Sequence, residues 1–212
     1  MQTRPLPKGI FFGFTVVGFL FIVLYIVLSF HNRPAADDFY FLGSIENKGI
    51  WNTALTAYKT WITRWTSLLF IGAMVKFFTA GQSLLWFHLF TLLALIAGLA
   101  LIIRKILLLK FNSAPQVWFT VIYSILFVSS FFMLSFSTSE TWFWFTSVCM
   151  YLWPVIILIY GDYLLHCSGK KIFYPALLFF CFLFIGGGSE VVALEVLLLL
   201  VLLLWNQTKN NP

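Results

Sequence analysis

Charged residues are scarce in this chain. Only 9% of its 212 residues are Asp, Glu, Lys or Arg, whereas 61% are hydrophobic. Soluble domains carry about a quarter charged residues, so the shortage excludes a soluble globular domain and predicts a polytopic membrane protein. The net charge of +6 does not indicate nucleic-acid binding. The basic residues lie mostly between apolar runs, where they orient membrane helices.

Cysteine and histidine are also sparse, and neither forms a recognisable pattern. Cys149, Cys167 and Cys181 lie in or beside apolar runs without C-x-x-C spacing, which excludes a zinc cluster or a disulfide framework. We interpret them as small buried hydrophobic residues. The three histidines are too dispersed for a metal triad. The chain has no internal repeat of the kind found in many transporters.

What the chain does contain is a series of apolar runs long enough to cross a bilayer, which requires about 20 residues. The first is longer than the apolar region of a signal peptide, about 7–15 residues, so we expect a retained helix. The sequence predicts an all-α membrane bundle of about six transmembrane helices in a single domain, 1–212. The predicted spans lie at roughly 9–30, 84–108, 117–136, 147–166, 172–188 and 189–205.

A seventh stretch, 61–79, mixes Arg64 and Lys76 with apolar residues. That mixture favours a helix lying along the membrane interface, while a true span with both cations snorkelling to its ends is the alternative. Loop charges favour the interfacial helix, because all basic loops then share the cytoplasmic side with the N-terminus. We therefore expect a plasma (inner) membrane protein whose outer loop, 31–83, holds one or two juxtamembrane helices, at about 47–58 and 61–79.

This outer loop opens with two adjacent carboxylates, Asp37 and Asp38. Either can serve as a general base, and hard oxygen ligands suit a divalent cation such as Mg or Mn. Adjacent residues on a helix point about 100° apart, so one would face a site while the other caps or orients the turn. A simple capping turn in a hydrated loop is the alternative interpretation.

An aromatic run follows Glu140 at the same predicted outer face. Trp142, Trp144 and Tyr151 could stack on a sugar ring, or form the aromatic belt that many membrane proteins place at the interface. Glu140 is a candidate catalytic acid. It also completes a Ser-x-x-Glu pattern with Ser137, which is typical of a helix capping box.

Glu190 and Glu195 follow three glycines, Gly186 to Gly188. An ionisable residue inside a span indicates function by default, and an outer arginine such as Arg33 or Arg64 is the expected partner of Glu195. The glycines permit either a close approach to a ligand or a plain turn between spans.

The outer basic residues Arg33, Lys59 and Arg64 are candidates to bind the phosphate of a lipid, because arginine makes bidentate contacts with phosphate. Contact with the headgroups of membrane lipids is the alternative.

Together these features resemble the GT-C superfamily of bacterial membrane glycosyltransferases, which use polyprenyl-phosphate sugars. Ala36-Asp-Asp-Phe-Tyr40 stands where that family has its first acidic motif, and Tyr58-Lys-Thr-Trp-Ile-Thr-Arg-Trp65 looks like its second juxtamembrane helix. Glu140 and Glu190 stand where such proteins often carry further acids. The resemblance implies sugar transfer from a lipid-linked donor to an acceptor at the outer face, with Asp37 or Asp38 as base or metal ligand.

The chain departs from that family in having fewer spans than most members. We therefore expect a short or truncated member, or one part of a complex with an additional membrane subunit. Two other functions stay open at this stage. One is a transporter or lipid-handling protein with Glu190 and Glu195 inside the bundle, and the other is a non-catalytic membrane subunit.

Overall fold

The computed structural model describes residues 8–78, 84–111, 115–165 and 173–210. Within these ranges the chain is helical, and no strand occurs. Ser139–Phe143 forms a π-helical turn, and a second π-helical turn, Val148–Leu152, lies within the helix Phe145–Leu165. The α-helices are α1 Lys8–His31, α2 Asp37–Thr60, α3 Trp65–Phe78, α4 Leu85–Phe111, α5 Val117–Leu134, α6 Phe145–Leu165, α7 Phe173–Gly188 and α8 Glu190–Asn210.

Several of these helices are suited to a membrane. Among the described residues, four are long and apolar enough to cross one: Gly9–His31, Leu85–Phe111, Val117–Leu134 and Phe145–Leu165. The apolar helices Trp65–Phe78 and Tyr174–Gly188 are shorter. The predicted all-helical, multi-pass architecture is therefore supported, and the count of six spans stays a prediction. Of the predicted cytoplasmic residues, Arg4, Lys170 and Lys171 lie outside the described ranges.

The segment between the candidate spans Gly9–His31 and Leu85–Phe111 contains two helices, as predicted, but with different bounds. α2 begins at Asp37 rather than near residue 47, and the two carboxylates occupy its first turn, where they complement the helix dipole. α2 also bends at Gly49, whose φ of 76° lies in the left-handed region that glycine tolerates. α3 begins at Trp65, and residues 61–64 connect the two helices.

Hydrogen bonds from Asn32 join three segments at one end of the bundle. Its side-chain Nδ2 donates to Nε2 of His88 and to the carbonyl of Phe143, each at 2.7 Å. Asn32 directly follows α1, and His88 lies in the first turn of α4. The segment between these helices therefore starts and returns at the same end of the bundle, which we call the α1-exit end.

Aromatic side chains fill the core beneath this end. The fully buried Tyr25 ring lies 6.2 Å from that of Trp142 and 5.3 Å from that of Phe143, measured between centroids. Trp142 is itself 0% exposed, and its indole N–H donates to Oγ of Ser135 at 3.0 Å. The first half of the aromatic run thus packs inside the protein.

Small residues let α3 and α7 approach closely at the α1-exit end. Thr66 Oγ1 donates to the carbonyl of Phe184 at 2.8 Å, and Ser67 Oγ donates to that of Gly188 at 2.9 Å. A Cβ added to Gly187 would meet Thr66 Cγ2 and Trp65 Nε1 at 2.7 Å. Such close helix packing through small residues is common in membrane bundles.

We predict that Gly187→Ala destabilises the protein, because the new methyl group forces α3 away from α7. Overpacking of this kind costs about 1–3 kcal/mol. Gly186→Ala is the matched control, since a Cβ there meets no heavy atom within 4 Å. Thermal unfolding in detergent should show a lower midpoint for Gly187→Ala alone, and equal midpoints for the two variants would contradict the predicted close approach.

Candidate functional site

A cleft of about 410 Å³ opens at the α1-exit end, and we call it the Asp37 cleft. It gathers residues from the first turn of α2, the α2–α3 connection, α6 and the start of α8, and it contains five of the residues predicted from the sequence. Its lining consists of Asp37, Trp61, Ile62, Thr63, Arg64, Trp144, Thr146, Ser147, Met150, Tyr151 and Glu190.

Arg64 is the central charge of this cleft. Its Nε donates to Oε2 of Glu190 at 2.6 Å, and its Nη1 donates to the hydroxyl of Tyr151 at 2.8 Å. The guanidinium carbon also lies 5.0 Å from the centre of the Tyr151 ring, a distance at which a cation is attracted to an aromatic face. Thr63 donates to the other Glu190 oxygen at 3.3 Å. These contacts fix the arginine and leave its Nη2 hydrogens for another acceptor.

Glu190 accepts these bonds at the first position of α8. Its own backbone N–H, and then the bonds from Arg64 and Thr63, lower the pKa of its carboxyl group, while partial burial acts in the opposite direction. The sequence predicts an outer arginine beside Glu195. The structure places Arg64 on Glu190 instead, and Glu195 is exposed one and a half turns further along.

The two adjacent aspartates have different surroundings. Asp38 is 1% exposed: its Oδ1 accepts bonds from N and Oγ1 of Thr146, at 2.9 and 2.6 Å, and its Oδ2 accepts one from N of Ala35 at 3.0 Å. Asp37 is half-buried and lines the cleft. One carboxylate thus lines a cleft while the other is buried among hydrogen-bond donors, and a functional role for either stays a prediction.

Burial raises the pKa of the Asp38 carboxyl above its usual range, and the bonds from Thr146 and Ala35 oppose that rise. The backbone groups bonded to Asp38 are the N–H groups of Ala35 and Thr146. An N–H group can only donate a hydrogen bond, so these partners favour the ionised carboxylate. Asp38 therefore ties the start of α2 to the start of α6. The oxygens of Asp38 accept bonds from these donors. Asp37 is therefore the aspartate that lines the cleft.

The remaining predicted site residues lie elsewhere. Arg33 lines a different cavity, and Lys59 is exposed on α2 outside the cleft lining. Glu140 is exposed, and its backbone N–H lies 3.4 Å from Oγ of Ser137, the contact expected of a capping pattern. The buried ring of Trp142 belongs to the core, so its face is not open to a sugar.

Trp144, two residues later, is half-buried in the cleft lining. Its indole nitrogen is buried, with no hydrogen-bond partner among the described residues. The other six residues of the cleft lining, among them Trp61 and Thr146, were not predicted from the sequence. Trp61 is 52% exposed and stacks on Phe41 with 5.9 Å between centroids. Its position three residues before Arg64 was the feature of the sequence that could have indicated a place in the site.

The sequence also predicts that Asp37 and Asp38 could hold a divalent cation. Within the described part of the chain, no three His, Cys, Asp or Glu side chains lie close enough together to hold an ion. Asp38 is engaged with Thr146, and Glu190 is engaged with Arg64, so Asp37 is the one carboxylate of the cleft lining without such an engagement. A divalent cation, Mg or Mn, at Asp37 or Asp38 stays a prediction.

We predict that Thr146→Val destabilises the protein, because it removes the hydroxyl donor of a buried carboxylate. Leaving a buried polar group short of a partner costs about 1–3 kcal/mol. Thr60→Val is the control, since Thr60 is exposed and its hydroxyl bonds only within its own helix. Chemical or thermal unfolding in detergent measures the difference, and a Thr146→Val variant as stable as the control would contradict the role given to Asp38.

The carboxylate of Glu190 predicts a pH dependence. Its own backbone N–H, and then the bonds from Arg64 and Thr63, lower its pKa in the folded protein, so these contacts stabilise the fold above the ordinary carboxyl value of 4.5. That stabilisation is lost as the pH falls through the lowered value. Glu190 is largely exposed, so we expect less than about 1 kcal/mol. Unfolding midpoints between pH 6 and pH 3.5 should fall further in wild type than in Glu190→Gln, and parallel curves would contradict this.

Comparison with known proteins identifies no relative of this chain. The chain matches no protein-family model, no curated protein and no solved structure.

Proposed function

We propose that this chain is a membrane glycosyltransferase that takes a sugar from a polyprenyl-phosphate donor and transfers it to an acceptor hydroxyl. One observation supports this most directly. The Asp37 cleft places a carboxylate and an arginine in the same lining, together with aromatic rings, at an end of the bundle where α1 leaves its apolar span. A carboxylate for the acceptor proton and a cation for the leaving phosphate are what such a transfer requires.

The donor phosphate is assigned to Arg64. The guanidinium is held by Tyr151 and Glu190, and its remaining N–H groups can bind a phosphate oxygen. Arginine binds phosphate with two parallel hydrogen bonds, which fixes the position of the group. Trp61 and Trp144 in the same lining provide aromatic faces for a sugar ring.

The acceptor is assigned to Asp37. Its carboxylate takes the proton of the acceptor hydroxyl while that oxygen forms a bond to the anomeric carbon of the sugar. The bond between the anomeric carbon and the phosphate oxygen breaks, and Arg64 stabilises the negative charge that develops on the phosphate. Asp38 acts as a positioning residue, because it holds the first turn of α2 against Thr146.

The location of this chemistry follows from the charge pattern of the loops. We place the Asp37 cleft at the outer face of the plasma membrane, with the N-terminus in the cytoplasm and six helices crossing the bilayer. α3 then lies beside the cleft without crossing. The contact between Asn32 and His88 supports this arrangement, because the first loop returns to the end it left.

The position of the acidic residues favours a transferase over a transporter. A transporter would carry Glu190 and Glu195 inside the bundle, where they could bind a proton or substrate. In the structure the side chain of Glu190 is 57% exposed, and Glu195 is also exposed. Neither lies within the core of the described helices.

We predict that Asp37→Asn lowers the rate of sugar transfer by about 10²–10⁴-fold, the usual contribution of a general base. The measurement is transfer from a radiolabelled polyprenyl-phosphate sugar in membranes that contain the full-length protein. Glu195→Gln is the matched control, because Glu195 lies outside the cleft lining, and it should leave transfer unchanged. Full activity of a folded Asp37→Asn variant would refute the assignment.

We also predict that Arg64→Gln weakens donor binding, whereas Glu190→Gln strengthens it by freeing the guanidinium from a competing carboxylate. The KM for the donor in the same assay distinguishes these opposite effects. If both variants bind the donor equally well, the donor phosphate does not lie on Arg64.

A further inference from the structure

A second and larger cavity lies on a separate part of the α1-exit end. It has a volume of about 1050 Å³, at the upper limit of the 300–1,000 Å³ that is typical of small-molecule sites. No residue is common to its lining and that of the Asp37 cleft. We call it the Gly49 groove, because the bend of α2 at Gly49 forms part of its wall.

The walls of this groove are mainly apolar. α2 contributes Phe39, Leu42 and Ile45, and α3 contributes Val75. Phe39 is 64% exposed, so a large apolar ring at the groove is left uncovered by the described chain. A surface of this kind suits the hydrocarbon part of an amphiphile.

Three charged residues also line the groove, and their balance is positive. Arg33 and Lys76 are exposed cations, and Glu46 is an exposed anion. The Nη1 group of Arg33 donates to the carbonyls of Phe30 and Asn32, at 3.1 and 2.9 Å. These bonds hold the guanidinium over the end of α1 and leave its Nε and Nη2 hydrogens for a further acceptor.

The groove lies where lipid headgroups would be. Arg33 comes two residues after the last residue of the apolar helix Gly9–His31, and Leu84 comes directly before the apolar helix Leu85–Phe111. The bond between Asn32 and His88 shows that these two helix ends are adjacent. Cations at the end of a span lie at the level of lipid phosphates.

We propose that the Gly49 groove binds an anionic glycerophospholipid of the surrounding bilayer. The phosphate lies between Arg33 and Lys76, and an acyl chain follows the wall formed by Leu42, Ile45 and Val75. This lipid is not the substrate of the Asp37 cleft, and the proposal holds whether or not the chain transfers sugars. Its effect is to fill the space between α2 and α3 that the bend at Gly49 creates.

The test uses the full-length protein in detergent, titrated with phosphatidylglycerol or phosphatidylcholine and followed by native mass spectrometry. Each cation near a lipid surface strengthens binding of an anionic lipid about fivefold. We therefore expect Arg33→Gln and Lys76→Gln each to weaken phosphatidylglycerol binding by about that factor. Glu46→Gln should strengthen it, because a repelling carboxylate is removed. Lys48→Gln is the control, since Lys48 is exposed on the same helix outside the groove lining.

Leu42→Trp tests the apolar wall separately. It should weaken the binding of both phosphatidylglycerol and phosphatidylcholine, because the larger side chain fills the groove. Equal binding of the two lipids by wild type would overturn the proposal. The proposal would also be overturned if Lys48→Gln weakened phosphatidylglycerol binding as much as Lys76→Gln does. Polyprenyl phosphate is the competing occupant: if it binds more tightly than phosphatidylglycerol and depends on the same two cations, the groove belongs to a lipid-linked substrate instead. Since Arg33 also caps α1, Lys76→Gln decides the result if Arg33→Gln is unstable.

Discussion

The arrangement of the α1-exit end depends on one buried carboxylate. Asp38 accepts two hydrogen bonds from Thr146 and one from the backbone of Ala35, so it joins the first turn of α2 to the first turn of α6. The charge is stable there because its bonded neighbours supply donors at the correct distances, whereas a buried carboxylate without them would cost several kcal/mol or become protonated. The position of Asp37 at the cleft follows, since the adjacent residue on the helix must point elsewhere.

The apolar helices could be predicted from the sequence because the bilayer imposes a length that a run of apolar residues reveals directly. The start of α2 was predicted less accurately, near residue 47 rather than at Asp37. The polar residues on one side of this helix made its first residue hard to identify from the sequence. The carboxylate of Asp38 in its first turn bonds to Thr146, 108 residues later in the chain, and no residue near the acidic pair in the sequence indicates that contact.

The same limit applies to the aromatic run. Trp142 is buried in the core, whereas Trp144 lines the cleft. The sequence presents both as equivalent members of one run. Trp142 lies inside the π-helical turn Ser139–Phe143, whereas Trp144 follows that turn with extended backbone, at φ −73° and ψ 109°. The run of aromatic residues does not mark in the sequence where the turn ends, so the different surroundings of the two rings could not be predicted.

Arg64 shows how a polar site can be stable in an apolar chain and still be able to bind a ligand. A guanidinium beside the membrane needs acceptors, and here Glu190 and Tyr151 provide them from two different helices. The same bonds orient the arginine before any ligand arrives, so less conformational entropy is lost on binding. They also supply a carboxylate that competes for the cation. A phosphate that enters the Asp37 cleft can bind through the unused Nη2 hydrogens without breaking the Arg64–Glu190 pair. It can also displace Glu190, and because Glu190 is largely exposed at the start of α8, losing that pair costs the fold little.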